Sequence, residues 1–270
     1  RLRRLEAVLG FRVFERDTRK VALTEQGQRL FNAARTLAAA SDTFDALAAQ
    51  LRKNDPQCLR IGAPPYTKAL PERREMIDLF TTRFPGTRIE LQTGWSLNLQ
   101  TMLRAGSIDI ALGVIAFDPD FCDGLLLREL QLSLSVAQDH PFARRGRVEP
   151  SDLSGQTVHV FTRSLNPVLW DEFYAPLRTA GANLVERPEV AEGGAEHMAV
   201  MDTPAAFLHL GNESSSSTTS SVLVECNSRA PLYLLRRKND LAPSIAAMWD
   251  IGTMITVSSA GRAEARIRKD

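Results

Sequence analysis

The residues able to do chemistry are few, and their spacing argues against catalysis. The four histidines, His140, His159, His197 and His209, form no i, i+4 pair and have no adjoining cysteine, so no metal site is expected. The chain contains no nucleophile elbow, phosphate-binding loop or dinucleotide fingerprint. Asp109 stands inside an apolar run, where a carboxylate is expected to cap local backbone rather than act on a substrate. Cys58, Cys122 and Cys226 are an odd number without metal spacing, as expected of free thiols in a reducing cytoplasm. These features predict a protein that is not an enzyme and needs no cofactor or metal.

Binding has more support. In an open α/β fold, ligands sit at strand carboxyl ends against helix N-termini, whose free NH groups attract anions. Three polar loops qualify. Tyr66 and Thr67 lead into one helix, and Ser96 and Asn98 into the next; Thr162, Arg163 and Ser164 stand in the later half of the chain. Arg163 would pair with a carboxylate. Each of these groups also reads as a helix cap.

A second kind of chemistry is electrostatic. Residues 1–35 carry nine basic and four acidic side chains, a local charge of +5, whereas the whole 270-residue chain carries only +1. A basic end on an acidic body predicts a polyanionic partner for that end alone. The same pattern also reads as a solvated charged face. Composition is otherwise that of a soluble globular protein, 44% hydrophobic and 24% charged. No apolar run is long enough to span a bilayer and no signal peptide opens the chain, so no membrane partner is expected.

The elements that would position these groups are legible from periodicity. Residues 1–9 read as a helix with a Leu2, Leu5, Leu9 stripe, ended by Gly10. Phe11, Val13 and Phe14 then supply one strand, 17–20 a turn, and Val21 and Leu23 a second strand. Thr24 is an N-cap for a long helix that runs to Arg52. Leu30, Leu37, Phe44 and Leu51 are spaced seven apart on it, with Ala33, Ala40 and Leu47 at the other seam position. Fully helical, this stretch is roughly 43 Å long. It is expected to pair with a copy of itself and to hold the segments on either side of it apart.

Beyond Lys53–Pro56, which breaks the helix, strand and helix signals alternate. Strands are expected at 59–62, 88–92, 108–114, 130–137, 157–161, 185–190, 205–210 and 232–236. The helix opened by Pro71 should bury Ile77, Phe80 and Phe84; the one ending at Gly106 should bury Leu99 and Leu103. A helix capped by Asn166 should run to Gly181 with a kink at Pro176, and a final helix should cover 242–254. The serine-rich 212–221 stretch reads as a flexible loop, and the basic last dozen residues as a mobile tail.

The ordered residues Arg3-Arg4-Leu5-Glu6, Leu9-Gly10, Val13-Phe14-Glu15-Arg16, Val21, Leu23-Thr24 and Gly27 resemble the LysR-type family of bacterial transcriptional regulators. Later segments fit as well: Arg60-Ile61-Gly62, Leu70-Pro71, the 84–91 run FPGTRIEL, the 105–112 run AGSIDIAL and the 140–143 run HPFA. The resemblance extends to about Met254 and weakens between Met201 and Val222. There Met201-Asp202-Thr203-Pro204 replaces a glycine-rich turn.

The resemblance implies an α/β architecture. A partial winged helix-turn-helix would occupy 1–23 and a linker and dimerisation helix 24–52. A two-lobe, periplasmic-binding-protein-like effector domain would come next. Its first lobe would span 58–129 and 236–257 and its second 130–235, leaving a tail at 258–270. By resemblance, Arg1, Arg3 and Arg4 sit on a recognition helix and Arg19 and Lys20 at the wing tip. Thr24 would meet a DNA phosphate through its backbone NH. Ser96 falls on the family's frequent hydroxyl position for effector contact. The implied partners are double-stranded promoter DNA, a small-molecule effector with a carboxylate as one candidate, and further copies of the chain, as a dimer or tetramer in the cytoplasm. Two family helices have no counterpart ahead of Arg1, which leaves a sensor and oligomerisation module without autonomous DNA binding as one alternative. A solute-binding protein is another.

Overall fold

A computed structural model describes residues 2–16, 21–30, 33–34, 57–187, 190, 203–208, 218–240 and 242–267. Helix α1 (Leu2–Leu9) stops at Gly10, whose φ of 75° is the left-handed conformation that ends helices without steric cost. The chain then turns back on the helix. Glu6 Oε1 accepts from the Val13 and Phe14 amides at 2.9 and 3.3 Å, so those NH groups are satisfied by a side chain instead of a strand. This is why strand β1 (Phe14–Arg16) begins three residues later than Phe11. It pairs antiparallel with β2 (Val21–Leu23), matching Phe14 to Leu23.

Thr24 is an N-cap: its Oγ1 accepts from the Gly27 amide at 2.9 Å as the helix α2 begins at 25–30. The hydroxyl donates to the Arg12 carbonyl at 2.7 Å. A Cβ on Gly27 would overlap the Val13 carbonyl, so the absent side chain lets α2 lie directly on the turn after α1.

The larger part is built on one mixed sheet. Strands β3 (Cys58–Ala63), β4 (Arg88–Thr93) and β5 (Ile110–Gly113) are parallel, β3 lying between the other two. All six β3 residues and all four β5 residues are buried, consistent with layers covering both faces. Helix α3 (Pro71–Arg83) packs Met76 and Phe80 inward beside Met248, Ile251 and Ile255 of α8 (Pro243–Ile267). Phe84 lies past the end of α3 and is exposed, and Ile77 is half-buried, so Met76 takes the inward position expected for them. On the other face α4 (Ser96–Ala105) buries Leu99 and Leu103 against Ile108, Ala111 and Ile115.

Strand β6 (Cys122–Ala137) is the backbone of the whole arrangement. At 16 residues it is about 53 Å long. Its first ten residues pair with β12 (Arg229–Arg237), which in turn pairs with β5. Its last six lie against β10 (Ala205–Leu208) and β11 (Thr219–Val224). The strand therefore leaves one lobe and enters the other without a break. The return crossing lies at residues 225–228, between β11 and β12, so the position 235 expected for it falls inside a strand of the first lobe. Thr219–Ser221, read as loop, is paired strand.

The second lobe adds α5 (Pro141–Arg145), β7 (Arg147–Val148), β8 (Thr157–Val160), α6 (Pro167–Phe173), α7 (Ala175–Thr179) and β9 (Asn183–Glu186). The sheet order is thus β4-β3-β5-β12-β6-β10-β8-β9, with β11 and β7 branching from β6. The expected single kinked helix is two helices. They part at Tyr174, and Pro176 sits in the first turn of α7, where its missing NH costs nothing. Tyr174 is fully buried and donates to the Ala206 carbonyl at 2.8 Å. The last helix runs to Ile267, beyond the expected 254 and through most of the segment read as a tail. No proline follows Pro243, and the helix continues through Gly252 and Gly261. No helix among the described residues is long and apolar enough to cross a membrane.

Candidate functional site

The lobes meet at the end of β5. Val114 comes directly after that strand, and both of its backbone groups are taken by side chains. Its amide donates to the Tyr66 hydroxyl at 2.9 Å, and its carbonyl accepts from Ser96 Oγ at 2.8 Å. Tyr66 reaches it from the 3-10 turn Pro65–Ala69 after β3, and Ser96 from the first turn of α4. The third participant comes from the other lobe. Asn166 Nδ2 donates to Ser96 Oγ and to the Val114 carbonyl, each at 3.2 Å. Its Oδ1 accepts from the Leu169 amide at 3.3 Å and so caps α6.

Around this junction stand Trp95, Phe161, Leu165, Leu169, Phe207 and Leu208. Tyr66 meets Phe207 edge-on across the lobes, ring centres 5.8 Å apart. The enclosed space is about 20 Å³, room for one water. Ligand cavities are on the order of 300 Å³ or more, so the junction as it stands has no room for one. Burial keeps the Tyr66 phenol far above its ordinary pKa, so it remains a neutral group.

The expected site residues divide sharply. Tyr66 and Ser96 line the junction. Thr67 is fully buried beside it but spends its hydroxyl on the Pro64 carbonyl (2.6 Å) and on Arg73 Nη1 (2.8 Å), so it is a structural residue. Asn98 is exposed on α4, away from the cavity walls. Arg163 and Ser164 are exposed, and Arg163 is held by Asp171 through Nε at 2.9 Å and a second contact at 2.5 Å. That pairing uses the guanidinium expected to meet a carboxylate. It holds Asp171 below the usual carboxylate range. Thr162 has a buried hydroxyl oxygen with no partner among the described residues, but it is not among the cavity walls.

Asn166 was legible only as a cap. The signal was present: an asparagine that caps through Oδ1 still has its NH₂ to give elsewhere. The apolar walls carry no polar pattern that marks them as a site.

Asp109 behaves as a structural carboxylate. Its Oδ2 accepts from the Arg60 amide at 2.9 Å, and Arg60 and Arg237 both lie 3.6 Å away. Burial raises its pKa in spite of these partners. A larger open recess of about 750 Å³ beside Arg60, Arg237 and the start of α8 is lined by the paired charges Arg60, Asp109, Arg237 and Asp240, with Asp120 and Lys238 beside them. No group of three or more metal-ligating side chains occurs among the described residues.

At the other end of the chain, Arg3 and Arg4 lie on α1; Arg1, Arg19 and Lys20 fall outside the described residues. The Thr24 amide expected to meet a phosphate instead donates to the Val13 carbonyl at 3.0 Å, so Thr24 holds α2 to the turn. Of the seam, Leu30 is half-buried, while Leu37, Phe44 and Leu51 lie outside the described residues. Met201 and Asp202 also lie outside them.

Comparison with known proteins places this geometry. Residues 55–204 match the family model described as LysR substrate binding domain. The hydrogen peroxide-inducible genes activator of Dickeya chrysanthemi is 30% identical over 159 residues, 58% of this chain and 51% of that protein. The HTH-type transcriptional regulator TtuA of Agrobacterium vitis is 30% identical over 213 residues, 76% of this chain and 66% of that protein. The chain spans about half the length of several curated relatives it matches. Full-length BenM superposes with a TM-score of 0.63 at 19% identity, covering 96% of this chain and 86% of that one. CbnR, a LysR family transcriptional regulator, gives 0.61 at 18% identity, covering 94% and 87%. The superpositions establish the two-lobe fold, and with the family match over more than half of its length the chain belongs to the LysR family.

Proposed function

We propose that the chain is the sensor-bearing part of a LysR-type transcriptional regulator. It takes up a small-molecule effector between its lobes and transmits lobe closure to a DNA-binding end. The observation that carries this reading is the Ser96–Val114–Asn166 junction. One lobe supplies a hydroxyl and a carbonyl and the other an amide, so anything inserted there changes what holds the lobes together. The basic end supports the DNA half. Arg1, Arg3, Arg4, Arg19 and Lys20 supply cations for phosphates, and Thr24 ties the start of α2 to the turn after α1. The 24–52 seam supports a dimer or tetramer. Such a regulator works in the cytoplasm. TtuA is named as an HTH-type transcriptional regulator, and CbnR has been solved with its target DNA.

Fluorescence anisotropy with promoter DNA tests the DNA half. Sequence-specific binding should weaken steeply with salt, and each of Arg3→Ala and Arg4→Ala should reduce the salt slope by about one. Absence of specific binding by the 270-residue chain would sink it. For assembly, Leu37→Glu with Phe44→Glu should yield monomers in sedimentation; an unchanged mass would refute the seam.

A further inference from the structure

We propose, resting on the reading of this junction as the sensor site, that Asn166 is a latch across a two-strand hinge. Breaking the latch lets the lobes swing apart. The hinge is narrow. Strand β6 pairs with β12 up to Gln131 and with β10 from Leu132, so the chain changes lobes between two neighbouring residues. The return crossing at 225–228 lies beside it, because β12 begins with Arg229 opposite Gln131. Two crossings side by side allow each lobe to turn about that edge, as hinged domain pairs do.

The latch is set by its own lobe. The Asn166 amide NH donates to the Arg163 carbonyl at 3.2 Å, and Oδ1 accepts from the Leu169 amide at 3.3 Å. These bonds fix the side chain and aim Nδ2 at Ser96 Oγ and the Val114 carbonyl, each at 3.2 Å. Val114 is fixed in turn by Tyr66 and Ser96. A preset donor meeting preset acceptors closes at little entropic cost. The neighbouring contact between the lobes, Tyr66 edge-on to Phe207, is apolar and sets no comparable direction. The junction encloses about 20 Å³, so any molecule larger than water must displace Nδ2 from the Val114 carbonyl. Entry and latch exclude one another, and the strength of the latch sets how readily the sensor responds.

Hydrogen-exchange mass spectrometry on the 270-residue chain at neutral pH tests this and needs no effector. Asn166→Ser keeps an N-cap oxygen for α6 but is too short to reach the Val114 carbonyl. In this variant the amides at 113–116 should exchange about tenfold faster, the ratio expected for two lost bonds of ordinary strength. Ser96→Ala, in which Nδ2 still reaches the Val114 carbonyl, should quicken them less. Amides around Phe80 and Met248, in the α3–α8 core, should keep their wild-type rates in both variants, which also shows that both fold. Unchanged exchange at 113–116 in Asn166→Ser overturns the latch. Equal quickening at the junction and in the α3–α8 core overturns it too, because Asn166 then only stabilises the fold. Neither result touches the regulator reading, which falls with the loss of specific DNA binding, and that loss would leave the latch standing.

Discussion

At the residue scale, Asn166 links the lobes and its neighbours decide how much that link is worth. Its amide makes two bonds across the interface, each on the order of 1 kcal/mol net. Asn166→Ala should therefore lower stability by about 1–2 kcal/mol in urea unfolding. Ser96→Ala should cost less, because Asn166 still reaches the Val114 carbonyl; equal losses would show that Asn166 does not bond that carbonyl directly. A second residue reports on pH. Burial on β8, with Arg187 nearby, holds His159 below the ordinary imidazole value. As pH falls through about 6.5 the unfolded chain takes up this proton first. Stability should then decline down to the lower folded value. His159→Gln should flatten that part of the profile; an unchanged slope in urea midpoints between neutral and mildly acidic pH would assign the decline elsewhere. Part of the candidate junction is legible in the chain: Ser96 and Tyr66 stand where a strand pattern meets a helix start. Arg163 misled because its partner Asp171 lies eight residues on, across a turn that periodicity does not close.

At the element scale, motif residues that resemble a DNA-binding unit prove to be the ones that fold it. Glu6 satisfies the Val13 and Phe14 amides, Thr24 caps α2, and Gly27 makes room for the Val13 carbonyl. In an isolated helix Gly→Ala stabilises by up to about 1 kcal/mol. Here Gly27→Ala should do the opposite, because the added methyl overlaps backbone. Hydrogen exchange over 2–30 should quicken, and protection that rises instead would exclude the contact. Strand β5 was legible because burial on both faces leaves an unbroken apolar run, whereas in β3 the apolar pattern is interrupted by the buried Arg60. The full length of β6 was not: its first half alternates buried and half-exposed residues weakly, and only pairing with β12 makes it strand. Likewise β12 reads as a strand of either lobe until its partner is known, since alternation sets a strand's face but not its neighbour.

At the scale of the whole molecule, the sheet settles how the chain can respond to oxidants. Oxidation of a cysteine favours an accessible thiolate, and a disulfide needs a second thiol in reach. Cys58 and Cys122 are buried, and burial raises both thiols above their ordinary pKa, which keeps them protonated. They also stand on β3 and β6, with β5 and β12 between, so about 14 Å of sheet separates them. Cys226 lies in the return crossing, just before Arg229, which pairs with Gln131. Cys122 is nine residues back along the same strand, about 30 Å away. Cys58 is level with the far end of β12 through Ile61, Ile110 and Arg236, which puts it more than about 20 Å from Cys226. A disulfide needs Cα atoms within about 7 Å. The folded chain should therefore form no internal disulfide in excess hydrogen peroxide. Mass spectrometry after alkylation should recover Cys58 and Cys122 as free thiols, with oxidation confined to Cys226. A bridged peptide pairing any two of the three would require paired strands of the sheet to come apart, and would refute the sheet register on which this geometry rests.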